Sequence, residues 1–494
     1  MSSKRAIKHN PFKAWKFLVI PIIRLSYVFS LFCTMASIYT IIYFAFSSQT
    51  HGCPHCHQII VTQKFTDNNI TMGYEKTNIS HIVFGIAGSM NTWNKRQNYS
   101  ELWWKPNITR GFVWLDEKPP NNVTWAKTSP PYKVSGNTSR FKYTCWFGSR
   151  STIRLARIVK ESFELELENV RWFVMGDDDT VFFTENLVTV LSKYDHNQMY
   201  YVGGNSESVE QDLIFSYTMA YGGGGFAISY PLAAQLVRIL DACIDRYSTL
   251  CYSDQKIQSC LSEIGIPLTK ELGFHQVDIQ GNPYGFLAAH PLAPLVSLHH
   301  LDSINTLFPN LTQIDSFKNL ISAYKTDPGR TLQRSFCYDL RRNWTVSVSW
   351  GYTVQLYPSL VTAKQLETAF QTFQTFTNMS NQPFTFDVQP ENPDPCGRPI
   401  VYFLDRVEIV GDGKTLTTYK RYVEDLEKGC GNVNYAPALA ILSVNVSASS
   451  FNPDLWNKAP RRQCCEIVEG SDWVDSGIEV NIRSCNHFES VTPP

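Results

Sequence analysis

Three consecutive carboxylates, Asp177-Asp178-Asp179, follow the apolar run Trp172-Phe173-Val174-Met175-Gly176, which has the length and composition of a buried strand. Side by side at a strand end they repel one another, and a divalent cation with a phosphate ester on its far side would hold them there. Ligands of open α/β sheets gather beyond the carboxyl ends of the strands, where these acids fall. A polar turn after a strand is the bland alternative. An EF-hand loop counted from Asp177 is excluded, because Val181, Phe182 and Val188 occupy positions that require an oxygen ligand, a glycine and a bidentate glutamate. A further carboxylate, Asp254, begins a helical pattern that runs to Leu261 and stops at Gly265. The helix macrodipole favours an acid in a first turn whatever its role, but transfer to a hydroxyl also needs a carboxylate to accept the proton.

Histidine is the usual neutral nitrogen ligand for a transition ion, and the candidates are His299, paired with His300 after the apolar run Leu295 to Leu298, and His275 in GFHQVD. The run Gly222-Gly223-Gly224-Gly225 precedes Phe226. Glycines let a backbone approach a ligand closely, so this run is a candidate pocket floor as well as a candidate flexible loop. Near the start of the domain, GIAGSMNTWNKR (Gly85 to Arg96) has the look of a nucleotide-binding first turn, with Ser89 and Arg96 free to meet base or phosphate and Asp116 following the second strand. It lacks G-x-G-x-x-G spacing, which disfavours a dinucleotide site.

These residues need a scaffold, and the chain has room for one. It has 494 residues, 43% hydrophobic and 13% aromatic, enough for two or three domains with ample core. Its formal net charge is zero, and nothing suggests nucleic acid as a partner. Basic residues crowd the first 24 positions, and Leu25 to Phe46 is uncharged and long enough to span a bilayer. The flanking charge keeps the N-terminus cytosolic. A cleaved signal peptide fits less well, since the run exceeds an h-region and lacks a small-x-small exit. Ten N-x-S/T sequons, from Asn69 to Asn445, and thirteen cysteines, only Cys33 of them in the span, fit an oxidising lumen. In the segment after the anchor, Cys53-Pro54-His55-Cys56-His57 matches the haem attachment pattern, but no domain surrounds it, and a local disulfide is the simpler reading, with adventitious metal binding second.

The expected organisation is a cytosolic tail (1–24), an anchor (25–46), a stem (47–78), an α/β domain (79–305) and a C-terminal disulfide-tied, mainly β domain (306–494). In the α/β domain, strands at His81 to Ala87, Gly111 to Leu115 and Met199 to Val202 alternate with helical stretches, one carrying Leu155, Ile158, Val159 and Phe163 on one face. This predicts a mainly parallel sheet with helices on both faces. Thr184 is placed to cap the helix after the acids, Ser229 to cap one that holds Pro231, and a helix is predicted over Leu366 to Phe373.

The DDD strand end, GGGGF, Asp254 opening a helix and the later histidines together resemble the Fringe-like β-1,3-glycosyltransferases, and the whole looks most like their plant branch with a C-terminal domain of unknown function. The resemblance covers roughly residues 79 to 305, and the remainder matches only the plant branch. It implies a GT-A fold, a Rossmann-like sheet that binds a UDP-sugar and Mn²⁺, in a single-pass type II protein of the Golgi membrane acting on a glycan or glycoprotein acceptor. By position, Asp177 and Asp179 match the metal motif and Asp254 the catalytic base. His299 matches a metal histidine, with His275 as second choice. Ser89, Arg96, Asp116, Asp177, Asp178, Gly223, Gly224 and Gly225 would face the donor nucleotide. The chain departs from Fringe in having Ser253-Asp254 where Fringe has an acidic pair, and Gly224 where Fringe has alanine. The rival expectation from another class is a lumenal carbohydrate-binding or scaffolding protein that kept the fold without catalysis.

Overall fold

The computed structural model describes residues 33–39, 76–376, 388–411, 413–422, 435–468 and 477–492. The chain divides into two units, Met1–Tyr74 and Glu75–Pro494. In the first, residues 33–39 are helical and exposed, and the rest of the expected anchor and the stem cysteines lie outside the described residues. Among the described residues no helix is long and apolar enough to cross a membrane.

The second unit is built on β1 (Ile82–Ala87), β2 (Arg110–Leu115), β3 (Tyr132–Val134), β4 (Trp172–Asp177), β5 (Val181–Phe182), β6 (Tyr201–Gly203), β7 (Phe226–Ser229) and β8 (Leu268–Lys270). All but β5 form one sheet, in the order β3-β2-β1-β4-β7-β6-β8. Pairing is parallel except that β7 runs antiparallel to both β4 and β6, so the mainly parallel sheet contains one reversed strand. Chain direction across the sheet switches between β1 and β4, which lie side by side from Ile82↔Trp172 to Ala87↔Asp177. A crevice forms at the carboxyl ends of strands at such a switch point.

Alternate strand residues face opposite ways. Val83, Phe173 and Met175 meet Ile153, Leu236 and Ile257 of α2 (Ser151–Phe163), α5 (Tyr230–Arg246) and α6 (Ser253–Ile264), and the chain's α1 is Met90–Trp103, α3 Thr184–Leu191 and α4 Val209–Ile214. On the other face Phe84 and Val174 join Trp103 of α1, Leu187 of α3 and a small sheet of β5, β9 (Phe274–His275) and β11 (Ser297–Leu298), in the order β5-β11-β9. Between them in sequence lies β10 (Ile279–Gly281), which pairs with β16 (Phe373–Thr375). The same apolar cluster continues through α7 (Tyr284–Ala288) and α8 (Gln313–Thr326) into the C-terminal region.

That region is a closed barrel in the order β12 (Arg334–Asp339), β13 (Trp344–Ser349), β14 (Thr353–Tyr357), β18 (Ile400–Val410), β19 (Lys414–Arg421), β20 (Ser443–Ser449), β22 (Gly477–Arg483) and β21 (Cys464–Ile467). Closure leaves no strand edge open to another chain. Disulfides Cys337–Cys465 and Cys464–Cys485 stitch the closing seam, Cys396 is also disulfide-bonded, and Cys145–Cys251 and Cys243–Cys260 tie the sheet domain.

Three local expectations are corrected. The predicted helix over Leu366 to Phe373 ends at Glu367, and the chain turns into β15 (Ala369–Phe370), which pairs with β17 (Val388–Gln389), and then β16. Sheet partners far along the chain override a weak helical pattern. Thr184 is the first helical residue rather than the cap, because Phe183 sits at the cap position with its N–H committed to the Val296 carbonyl. Ser229 does occupy the cap position of α5, but its hydroxyl donates to the Gln198 carbonyl instead of capping.

Candidate functional site

The acids fan out from the end of β4. Asp177 ends the strand and keeps 39% of its side-chain surface open to the cleft, whereas Asp179 is 1% exposed. The turn is closed by Thr180, whose hydroxyl accepts from the Asp177 N–H at 2.8 Å and donates to the Gly223 carbonyl at 2.7 Å. β11 runs antiparallel to β5 with Leu298 opposite Val181, and the next residue, His299, thereby reaches the acids. Its Nε2 lies 3.1 Å from Asp179 Oδ1 and 3.6 Å from Asp177 Oδ2. One donor atom from each of these three residues falls within 4.8 Å of the others, and neither oxygen of buried Asp179 has a hydrogen-bond donor of good geometry. Two carboxylates and an imidazole, with the Asp179 oxygens held by ion-pair contacts to His299 and Arg96 but by no well-aligned hydrogen bond, fit a hard divalent cation such as Mn²⁺.

Asp178 points the other way. It accepts from the Thr92 hydroxyl at 2.6 Å and from Arg96 Nη1 at 3.1 Å, so it anchors α1 and stands apart from the metal-type group. Arg96 is not free, as the sequence suggested. It bridges Asp178, Asp179 (3.2 Å) and Asp302 (2.8 Å), and Tyr99 also donates to Asp302 at 2.9 Å. Ser89 and Asp116 pair with one another at the ends of β1 and β2. The Ser89 hydroxyl and the Met90 N–H both donate to Asp116, at 2.9 and 3.0 Å.

The glycine run forms a turn in which the Gly225 N–H donates to the Gly222 carbonyl and Gly225 takes φ +85°. A side chain there would collide with the site. A Cβ on Gly223 would lie 2.0 Å from His299 Cε1, and one on Gly222 would lie 2.6 Å from Asp254 Oδ1. Gly224 is held by Gln276 Oε1, which accepts its N–H at 2.6 Å. Asp254, in the first turn of α6, accepts from the Gly222 N–H at 3.0 Å and the Ser253 hydroxyl at 2.9 Å, and it lines one cleft with Asp177.

Ionisation follows from this packing. Burial pushes the carboxyls of Asp177, Asp178 and Asp254 above the ordinary range. Burial acts the same way on Asp179, but His299 and Arg96 outweigh it and hold that carboxyl well below. For His299, burial disfavours the charge and the Asp179 carboxylate overcomes it, raising the imidazole to about 9. In effect, the His299 proton and Arg96 balance the acids where a cation would.

His275 stands apart from this group. Its Nδ1 is 3.0 Å from Glu207 Oε1 and its Nε2 is 3.0 Å from His290 Nε2, whose Nδ1 lies 2.8 Å from the Pro291 carbonyl. Burial lowers His275 to about 3 and raises Glu207 to about 8. Neutral imidazoles with a protonated Glu207 donating to His275 satisfy every contact in this row. Asp278, Asp302 and Thr92 escaped sequence reasoning. Asp278 Oδ1 lies 3.0 Å from His300 Nδ1, and each of the three stands in or beside a segment already singled out: Thr92 within Gly85 to Arg96, Asp278 at the end of GFHQVD, and Asp302 after His299-His300.

Comparison with known proteins adds the following. The chain is 28% identical over 155 residues to a human protein named beta-1,3-glucosyltransferase, covering 31% of this chain and 29% of that one. It is 30% identical over 139 residues to the mouse protein of the same name, covering 27% of each. The chain thus spans under a third of the length of these curated relatives. Among solved structures, a glycosyltransferase involved in glycosylation of the major capsid of PBCV-1 aligns over 48% of this chain and 97% of its own, with 8% identity and a TM-score of 0.25. A family model described as "Protein of unknown function, DUF604" matches residues 211–465, just over half of the sequence, from the helix after β6 to the closing seam of the barrel. The chain belongs to the DUF604 family.

Proposed function

We propose that this protein is an inverting glycosyltransferase of the Fringe-like class, on a GT-A type domain, which transfers a hexose or N-acetylhexosamine from a UDP-sugar to a hydroxyl of a glycan or glycoprotein, forming a β-1,3 linkage. The observation that carries this reading is the convergence of Asp177, Asp179 and His299 at the switch point of the sheet, with Asp177 lining a cleft that Asp254 also lines. The names of the human and mouse relatives support the same reaction class. The order of the motifs, with GGGGF between the acids and Asp254, supports the Fringe-like class, and a family model of unknown function that runs on to residue 465 is in keeping with its plant branch.

Asp177, Asp179 and His299 would hold Mn²⁺, which when bound neutralises the donor diphosphate and eases its departure. Ser89 and Asp116, bonded to one another at the ends of β1 and β2, would meet the ribose hydroxyls of the donor as a pair. Gly223 to Gly225 let the turn pack directly on His299, Gln276 and Phe182, and so set the position of the histidine that would face the donor. Asp254 accepts the proton of the acceptor hydroxyl. The acceptor oxygen bonds to the anomeric carbon from one face while the bond to phosphate oxygen breaks on the other, UDP leaving with the electron pair.

The basic tail, the uncharged span and the sequons support a type II Golgi protein with this site in the lumen. Six sequon asparagines, Asn98, Asn107, Asn122, Asn137, Asn310 and Asn343, are exposed. Glycosidase treatment of the protein expressed in eukaryotic cells should therefore increase its gel mobility, and unchanged mobility would refute lumenal residence. For the activity, the full-length protein in detergent is incubated with a panel of UDP-sugars. Manganese-dependent release of UDP from one of them is expected. Sugar binding with no release from any donor would favour the non-catalytic carbohydrate-binding reading.

A further inference from the structure

A row of aromatic rings leads out of the Asp254 cleft to the surface. Trp146 is 90% exposed, Phe147 58% and Tyr252 42%, although large rings normally leave water. Successive centroids are close: Trp146 to Phe147 5.1 Å, Phe147 to Tyr252 6.5 Å, Tyr252 to Phe215 4.7 Å. At the inner end Phe215 meets Tyr221, the residue before the glycine turn that binds Asp254. Tyr252 is two residues from Asp254, and Ser253 between them donates to its carboxylate.

The row is held rigidly. Trp146 and Tyr252 each directly follow a half of the Cys145–Cys251 disulfide, and the Thr144 N–H donates to the Ser248 carbonyl at 3.0 Å across the same junction. The tie fixes the backbone on which the exposed rings sit, so less main-chain freedom is left to lose on binding. Residues 145–148, 213–218 and 251–253 contain no charged side chain but several hydroxyls, including Ser216 and Thr218.

We infer that this row is the acceptor-binding surface and that its ligand is a neutral oligosaccharide. One face of a pyranose presents C–H bonds whose hydrogens are slightly positive, and these seat on the negative face of an aromatic ring, while the sugar hydroxyls are served by serine and threonine. The segments that carry the row offer a charged acceptor no counter-charge of their own, and Lys270 is already seated over the Tyr217 ring, 4.8 Å from its centroid. The assignment rests on the glycosyltransferase reading only in naming the ligand an acceptor, since the terminal hydroxyl of a sugar lying on Tyr252 is the one next to Asp254.

The test needs no donor. The full-length protein is titrated calorimetrically with cellotetraose, laminaritetraose and chitotetraose, alongside Trp146→Ala, Phe147→Ala and, as control, Phe488→Ala in the segment after β22, where the ring is 91% exposed. At least one tetrasaccharide should bind the wild type and the control equally, and about tenfold or more weaker to each of the two row variants, with melting temperatures unchanged. Equal binding to all variants, or binding of none of the three sugars, overturns the inference. Wild-type self-association that disappears in Trp146→Ala, without sugar binding, would make the row a protein interface and also overturn it. UDP release by the wild type is measured separately, so failure of the enzyme reading leaves this result standing on its own.

Discussion

Asp254 is poised by opposing forces. Burial raises its carboxyl, and the Gly222 N–H and the Ser253 hydroxyl partly offset that by bonding to the ionised form. A base must be ionised to act. Transfer by the wild type should therefore fall as pH drops through a value above the ordinary carboxylate range, and Asp254→Asn should lose that acid limb along with about 10²- to 10⁴-fold of the rate. Donor binding should persist, and stability should change by under about 1 kcal/mol, since asparagine is tolerated in a first turn. Near-normal turnover with saturating donor and acceptor would show that Asp254 only starts a helix. At this scale the sequence was readable where chemistry is local. The acids at the end of β4 and Asp254 at the start of α6 were legible from neighbouring residues. The sequence ranks His299 above His275, because only His299 follows the apolar run Leu295 to Leu298. Their register decides: Leu298 lies beside His275 in parallel pairing, so His299 alone extends beyond the sheet toward Asp179. Arg96 was misjudged because its partner Asp302 is 206 residues away.

Among the elements, the glycine turn is the one whose shape the site depends on most. Gly223→Ala would drive a methyl group into the His299 ring, which has the Asp177 and Asp179 side on one flank and the His300 ring, with centroids 4.1 Å apart, on another. Overpacking of this kind costs about 1–3 kcal/mol. Displacing a ligating imidazole should weaken Mn²⁺ binding by about 10–100-fold, as read by titration of the free-ion EPR signal. Unaltered affinity would mean that the turn yields instead of the histidine. Strands and helices with a clean period, such as β1, β2, β4 and α2, were visible in the sequence because one buried face dictates their pattern. The reversal of β7 and the parallel contact of β12 with β21 at Phe336↔Cys464 were not, since strand direction depends on partners that alternation does not encode.

For the whole molecule, sheet domain and barrel share one apolar cluster running from Ile82 to Ile482. The chain passes from His299 at the acids, through Asp302 on Arg96, to Ile304 bridged to Gly281, and then into α8, whose Phe317 packs on Tyr99 of α1. Barrel and site are thus connected through α8 and a shared core, and the sequence-level change of texture after residue 305 marks a change of secondary structure within one compact unit. The central claim is that the acids and His299 exist to hold a metal and a nucleotide. Asp177 tests it best, because its side chain reaches the cleft without taking part in the Arg96 bridges, so Asp177→Asn leaves that network in place. Calorimetric titration of the full-length protein with UDP, with and without Mn²⁺, is the direct measurement. Binding is expected only with Mn²⁺ in the wild type and should be lost in Asp177→Asn at unchanged melting temperature; UDP binding that needs no metal, or that survives the substitution undiminished, would contradict it.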